Sequence, residues 1–286
     1  MVEKQKYILE GSLGALIQEY RASPEFDRLA DETKQAYLRS ISRLAPLYRV
    51  KVDEIRRRHI ITLRNQIRHT PGAANHLVSV VSVLMKFAVM MEYRDDLLAG
   101  IEKLPVGEHR RWLDEDVEFA LKKFPEHLRR AVVLGLYTGQ RASDLVKMKW
   151  SDFDGDGITV TQKKTGTSLW LPCHLELRKE LEVWKMDRTT MTILSRPSGQ
   201  PYSATALCSA MSKMIARCHP NLDGLCFHGL RMTAAAKLAE AGCSVHEIAS
   251  ITGHKSLQMI EHYTAGADQI RRAKAAIVKL EQYSAN

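Results

Sequence analysis

Apolar residues recur at intervals of three and four through most of the first hundred positions. Leu13, Leu16, Ile17 and Tyr20 share one helical face, as do Tyr37, Ile41, Leu44 and Leu47, and the stretches Ile55 to Ile67 and His76 to Met91 repeat the pattern. This predicts four amphipathic helices between Ser12 and Gly100, with no strand among them. Asp31 stands where it would cap the second helix. Val52-Asp53-Glu54 would open the third, with acidic residues where the helix dipole favours them.

The periodicity breaks at Leu104-Pro105-Val106-Gly107-Glu108-His109-Arg110-Arg111, where a proline, a glycine and a charged run read as a linker. It divides residues 1–104 from residues 105–286. Beyond it, Asp114 to Phe124, Glu126 to Tyr137 and Arg141 to Trp150 read as helices, the last with Ser143 or Asp144 near its start. Two β-like runs, Gly157 to Gln162 and Ser168 to Leu171, flank Lys163-Lys164-Thr165-Gly166-Thr167 and signal a hairpin. The remainder reads as helical through Gln282. The expected fold is mainly α with one small antiparallel β-sheet, in two domains, and an alternating βαβ sheet is disfavoured.

Composition adds limits rather than an activity. The 286 residues carry 42 Lys+Arg and 33 Asp+Glu, a net charge of +9, which suits a polyanionic partner. The five cysteines are an odd number without Cys-x-x-Cys spacing, so reduced thiols are expected rather than a disulfide framework. A zinc site built from Cys173-His174, Cys218-His219 and Cys226 with His228 is disfavoured, because adjacent residues point apart and zinc ligands are normally spaced more widely. The charged stretch Met1 to Gln18 offers no secretory apolar region, and no uncharged apolar run approaches the roughly 20 residues of a membrane span. The expected location is cytoplasmic.

Basic and phenolic groups recur at chain turns. Arg141 follows Tyr137-Thr138-Gly139-Gln140, His228 and Arg231 lie three apart on one helical face, His254 follows Gly253, and Tyr263 stands soon after. Each alone is ordinary: a solvated arginine, a capping or interior histidine, a packing tyrosine. Together they permit chemistry on a phosphodiester. Two guanidiniums can fork onto its nonbridging oxygens and stabilise the charge that develops as phosphorus becomes five-coordinate. Histidines can bond the same oxygens or move a proton, and a phenol can attack phosphorus where cations stabilise its anion. An acid for the leaving oxygen is still needed. Lys164 in the hairpin turn can supply it, with adjacent Lys163 as a competitor.

The order Thr138-Gly139-Gln140-Arg141-Ala142-Ser143-Asp144-Leu145, Lys164-Thr165-Gly166 ahead of Leu171-Pro172, His228-Gly229-Leu230-Arg231, Gly253-His254 and Tyr263 resembles the tyrosine recombinase (phage integrase) family. The match runs from about Arg111 to Ile270. The resemblance implies a site-specific recombinase that cleaves and rejoins DNA through a 3′-phosphotyrosyl intermediate, with no cofactor, metal or ATP. Tyr263 would be the nucleophile, Arg141 and Arg231 the phosphate clamp, and His228 a proton carrier. Lys164 would be the general acid and His254 a hydrogen-bond partner of the scissile phosphate, while Asp144 would orient its neighbours from behind the site. It also implies that residues 1–104 form a helical core-binding domain, with Arg56, Arg57, Arg58, Arg64 and Arg68 on DNA phosphates beside Lys163 of the second domain. The implied assembly is a homotetramer on two duplexes of double-stranded DNA, with or without a DNA-bending accessory protein.

Three further implications accompany the resemblance. The short stretch before the first helix leaves no room for the arm-site-binding domain of many phage integrases, so such a domain is either lacking or cut away. Asp268 to Gln282 reads as a helix that packs in cis or on a neighbouring protomer. The same chemistry also serves type IB topoisomerases, and a non-catalytic DNA-binding regulator is a further alternative, disfavoured because every catalytic position is filled.

Overall fold

Ser12 starts the first helix: its backbone is extended and its Oγ accepts from the Ala15 N–H at 3.3 Å, satisfying one donor that a helix leaves open at its N-terminus. Helix α1 (Leu13–Arg21) is followed by a short α2 (Pro24–Asp27), then α3 (Asp31–Ser42), α4 (Arg57–Gln66) and α5 (Pro71–Met90). These belong to the first of two compact units, Met1–Gly107 and Glu108–Asn286. The computed structural model describes residues 9–107, 109–218, 222, 224–256, 258, 273–274, 276–278 and 280–282.

Helix α5 is the axis of the first unit and packs on α1, α3 and α4. Its Leu77, Val80, Leu84 and Ala88 join Leu16, Ile41 and Ile60 in one core, each large aliphatic side chain contributing roughly 1.5–3 kcal/mol by leaving water. Tyr20 meets Phe26 and Phe87 edge to face, with centroids 5.6 and 5.3 Å apart. By length and mean hydropathy α5 passes for a membrane span, although Lys86 interrupts its apolar run. Half of its apolar window is buried inside the unit, so its hydropathy is that of a core helix.

Several boundaries in this unit differ from expectation: α2 is a helix beyond the four expected, α3 ends at Ser42, short of Leu44 and Leu47, and α5 begins at Pro71, ahead of His76. Ala30, not Asp31, holds the cap position of α3, and Asp31 is the first helical residue. Val52–Glu54 forms a separate 3₁₀ turn rather than the start of α4. The reason is packing: Val52 and Ile55 are both fully buried, and their carbonyls accept from the buried Arg94 Nη1 at 3.2 and 3.4 Å instead of continuing a helix.

The second unit runs α6 (Asp114–Lys123), α7 (Glu126–Thr138), α8 (Ala142–Leu145), β1 (Gly157–Thr161), β2 (Ser168–Pro172), α9 (Leu175–Met186), α10 (Ala204–Cys218), α11 (Phe227–Glu240) and α12 (Val245–Thr252). Helices α7 and α11 pack against each other at its centre. The strands pair antiparallel with Gly157 opposite Pro172 and Thr161 opposite Ser168. Ile158, Val160 and Leu171 face the core while Thr159, Thr161, Ser168 and Trp170 face outward. The turn closes through Gln162 N–H to Thr167 O and Gly166 N–H to Gln162 O, both 2.8 Å, with Gly166 at φ +68°.

The helix expected over Arg141 to Trp150 is only the four residues of α8. Val146, Met148 and Trp150 are buried and Lys147 and Lys149 exposed, an alternation of period two that suits extended chain. Met148 O accepts from Ile193 N–H and Trp150 N–H donates to Met191 O, at 2.9 and 3.0 Å. Residues 187–203 are likewise irregular rather than helical. The described residues between 273 and 282 are helical.

Candidate active site

Gly139 ends α7 in the left-handed region, φ +61°, and a Cβ there would lie 3.1 Å from Thr252 Cγ2 of α12. Both the turn and the close approach of α12 therefore call for glycine. The turn sends Gln140 into the core and leaves Arg141 at the cap position of α8. Arg141 is half-buried, and its Nη1 is buried with no hydrogen-bond partner among the described residues. A buried guanidinium nitrogen without an acceptor is a group waiting for one.

Asp144, 1% exposed, faces the hairpin. Its Oδ1 accepts from Lys163 N–H at 2.9 Å and from Ser143 Oγ at 3.2 Å, so the carboxylate pins the backbone of the lysine turn to α8. Its Oδ2 is buried without a hydrogen-bond partner among the described residues.

Helix α11 carries His228 and Arg231 one turn apart. Its first turn lies along residues 110–112. A Cβ on Gly229 would fall 2.4 Å from Arg110 O, Trp112 Nε1 donates to Cys226 O at 2.8 Å, and Trp112 N–H donates to Thr233 Oγ1 at 2.8 Å. The glycine between His228 and Arg231 is thus a packing requirement.

Arg231 is 1% exposed. Its Nη1 donates to Gly139 O at 2.8 Å and Thr252 O at 2.7 Å, and its Nε donates to His254 Nε2 at 3.2 Å. Two carbonyl oxygens and an imidazole share a buried positive charge. Thr252 Oγ1 donates to Ile248 O at 2.7 Å, which leaves its oxygen to accept from His254 Nδ1, also at 2.7 Å. That fixes the tautomer: the proton sits on Nδ1 and Nε2 accepts from Arg231.

Charge couples the group. Burial, then the positive charges of Arg231 and Arg141, then His228, hold His254 down to a pKa of about 3. Burial also lowers His228, followed by His109, Arg231, Arg141 and Lys164. Both imidazoles are neutral at neutral pH, as desolvation and like charge require. The Lys164 ammonium is exposed and close enough to act on His228.

The second unit therefore brings Arg141, His228, Arg231, His254 and Lys164 into one electrostatic site, with Asp144 behind the turn that carries Lys163 and Lys164. Tyr263 lies outside the described residues. Arg56, Arg57, Arg58 and Arg68 are exposed in the first unit, Arg56 donating to Asp53 O, while half-buried Arg64 reaches Glu102 O at 2.6 Å. Among the described residues no three His, Cys, Asp or Glu side chains form a metal-holding group. The Cys226 thiol instead faces His109 Nδ1 at 3.3 Å.

The model of the phage integrase family matches residues 111–269, more than half of the chain. The chain belongs to the phage integrase family. It is 29% identical to the integrase of Escherichia phage HK022 over 153 residues, 50% of this chain and 43% of that protein. It thus spans less than half the length of that relative. A solved dimer of lambda integrase residues 75–356, bound to a COC′ core site, superposes with a TM-score of 0.74 at 24% identity, covering 88% of this chain and 95% of that one. A lambda integrase tetramer bound to a Holliday junction gives 0.71 at 23% identity, covering 86% and 78%. These two likenesses establish the tyrosine-recombinase fold, with its small antiparallel sheet.

Residue-type reasoning passes over Gln140, Gln162 and Thr252, all buried beside this cluster. Gln140 and Gln162 do stand beside Arg141 and the lysine pair in sequence. Glutamine is ordinarily a surface residue, so position beside a motif was the only signal.

Proposed function

We propose that this chain is a site-specific recombinase that cuts and rejoins double-stranded DNA through a covalent tyrosyl intermediate, integrating or excising a mobile element or phage. The observation that carries the reading is the convergence of Arg141, Lys164, His228, Arg231 and His254 from separate segments on one site, with a buried Arg141 Nη1 open to an acceptor.

In the proposed reaction Tyr263 Oη attacks phosphorus and the bond to the 5′ oxygen breaks. His228, neutral and half-buried, takes the phenol proton, and Lys164 Nζ gives a proton to the departing 5′ oxygen. Arg141 and Arg231 stabilise the pentacoordinate charge; His254, expected to bond the phosphate itself, has Nδ1 on Thr252 and Nε2 on Arg231 Nε, and so acts beside them by holding the Arg231 guanidinium in plane. One phosphoester replaces another, so bond energy is conserved for the reverse attack by a 5′ hydroxyl of the second duplex. Strand exchange calls for four active sites, hence a homotetramer on two duplexes in the cytoplasm or nucleoid. The first unit would serve as the core-binding domain, with Arg56, Arg57, Arg58, Arg64 and Arg68 on phosphates and Lys163 adding a contact from the hairpin.

The test is trapping. A substrate nicked near the cleavage point loses a short strand after attack and should leave the protein attached to DNA on a denaturing gel. Absence of such an adduct on any site from the flanks of the encoding element would defeat the reading.

Two narrower outcomes are expected. Lys164→Ala should lose cleavage of an ordinary phosphodiester by about 10²–10⁴-fold, the usual worth of a general acid. It should recover on a 5′-bridging phosphorothiolate, whose sulfur leaves without protonation. Rescue of Lys163→Ala instead would transfer the role. Binding to nonspecific duplex should fall steeply with salt, and Arg56→Ala, Arg57→Ala and Arg58→Ala should each reduce the slope of log K against log salt by about 0.9 where the residue touches a phosphate. A slope near zero for the intact protein would speak against extensive phosphate contact.

A further inference from the structure

The amides of Gln140 and Gln162 meet in the interior, 1% and 0% exposed. Gln162 Nε2 donates to Gln140 Oε1 at 2.7 Å and to Thr252 O at 2.8 Å. Gln140 Nε2 donates to Thr138 O at 3.1 Å and Ile251 O at 2.8 Å, and Gln162 Oε1 accepts from Thr165 Oγ1 at 2.9 Å. Every amide hydrogen and both amide oxygens are used. Gly253 leaves the space: a Cβ there would lie 2.4 Å from Gln162 Nε2.

Burying two amides stabilises nothing that apolar side chains of similar size would not, because each amide must first be stripped of water. What the pair adds is direction. It fastens together the turn before Arg141, the hairpin turn after Gln162 and the end of α12 just before His254. Thr252 O is shared, accepting from both Gln162 Nε2 and Arg231 Nη1. Lys255 Nζ donates to Thr165 O at 3.4 Å, a second strap between the same turn and the loop after α12.

We propose that Gln162, backed by Gln140 and reaching the turn through Thr165, is a positioning residue that holds the Lys164 turn in register with the phosphate-binding groups. The inference rests on the reading of Lys164 as the general acid. Gln162 touches no reacting atom; it acts by fixing where the ammonium can be.

The experiment compares single-turnover cleavage of ordinary and 5′-bridging phosphorothiolate DNA by Gln162→Met, Thr165→Val and Lys164→Ala. Methionine keeps the length of Gln162 and removes its side-chain hydrogen bonds; valine keeps the shape of Thr165 and removes the two bonds of its hydroxyl, to Gln162 Oε1 and from Thr167 N–H, at the half-buried turn. The expected result is a loss of about 10²-fold for Gln162→Met on the ordinary substrate, the effect of displacing a catalytic group by an ångström. The loss should be smaller for Thr165→Val, with both variants recovering on the phosphorothiolate. Equal loss on the two substrates, or none on either, overturns the inference. Thr165→Val decides the matter if Gln162→Met does not fold. Failure of the phosphorothiolate to rescue Lys164→Ala would overturn the general-acid reading itself. Rescue of Lys164→Ala without rescue of the other two would overturn only the positioning role.

Discussion

Replacing Arg231 with lysine is expected to slow single-turnover cleavage by about 10²–10³-fold, the magnitude of losing one preorganised donor to developing charge. The guanidinium is committed on one side: Nη1 holds Gly139 O and Thr252 O, and Nε holds His254 Nε2. Those bonds fix the plane of the fork that would meet the phosphate. A lysine ammonium keeps the charge but gathers its donors at one point, so it cannot span the carbonyls and the phosphate together. Leaving the buried Gly139 O without its arginine donor costs about 1–3 kcal/mol, whereas Thr252 O keeps the bond from Gln162 Nε2. Thermal unfolding must therefore be measured beside the rate, and cleavage compared where both proteins are folded. A folded Arg231→Lys protein that cleaves at the wild-type rate would remove Arg231 from the phosphate site.

The helices of the first unit were legible because one property, a repeating apolar face, suffices to specify them: Leu13, Leu16, Ile17 and Tyr20 mark α1 as they stand. Their boundaries were not, because these depend on distant partners. Val52 and Ile55 leave the helix for Arg94, some forty residues further along the chain. The short α8 is a different case. The alternation from Val146 to Trp150 was present in the sequence, and the helix signal of the preceding motif was extended over it. At the site, the positions of the charged and imidazole groups were readable from motif spacing, since chemistry restricts which residue types can serve. Their supports were not. Asp144 is fastened to a backbone N–H 19 residues away, and backbone partners leave no trace in side-chain identity. The Gln140–Gln162 amide pair escapes for the same reason: nothing about a glutamine announces that it is buried.

Tyr263→Phe is expected to abolish the covalent adduct while leaving DNA binding intact. The substitution removes one oxygen and keeps the ring, so packing and surface charge are preserved and the lost function is nucleophilicity. An unperturbed phenol titrates near 10 and is a poor nucleophile at neutral pH. It becomes competent when its anion is held among cations, which Arg141, Arg231 and Lys164 supply on the proposed reading, with the uncharged His228 imidazole able to take its proton. A phosphotyrosyl linkage needs a phenol, and no other side chain in the constellation carries one. The nicked-substrate gel decides the point. Wild-type protein should shift into a DNA-linked band and Tyr263→Phe should not, at equal occupancy of the site by a footprint. If the Phe variant still forms the band, the nucleophile is elsewhere, and Tyr283 is the next phenol along the chain to replace. A band lost with Tyr283→Phe but retained with Tyr263→Phe would keep the phosphotyrosyl chemistry while changing the spacing from Gly253-His254 on which the assignment of Tyr263 rests.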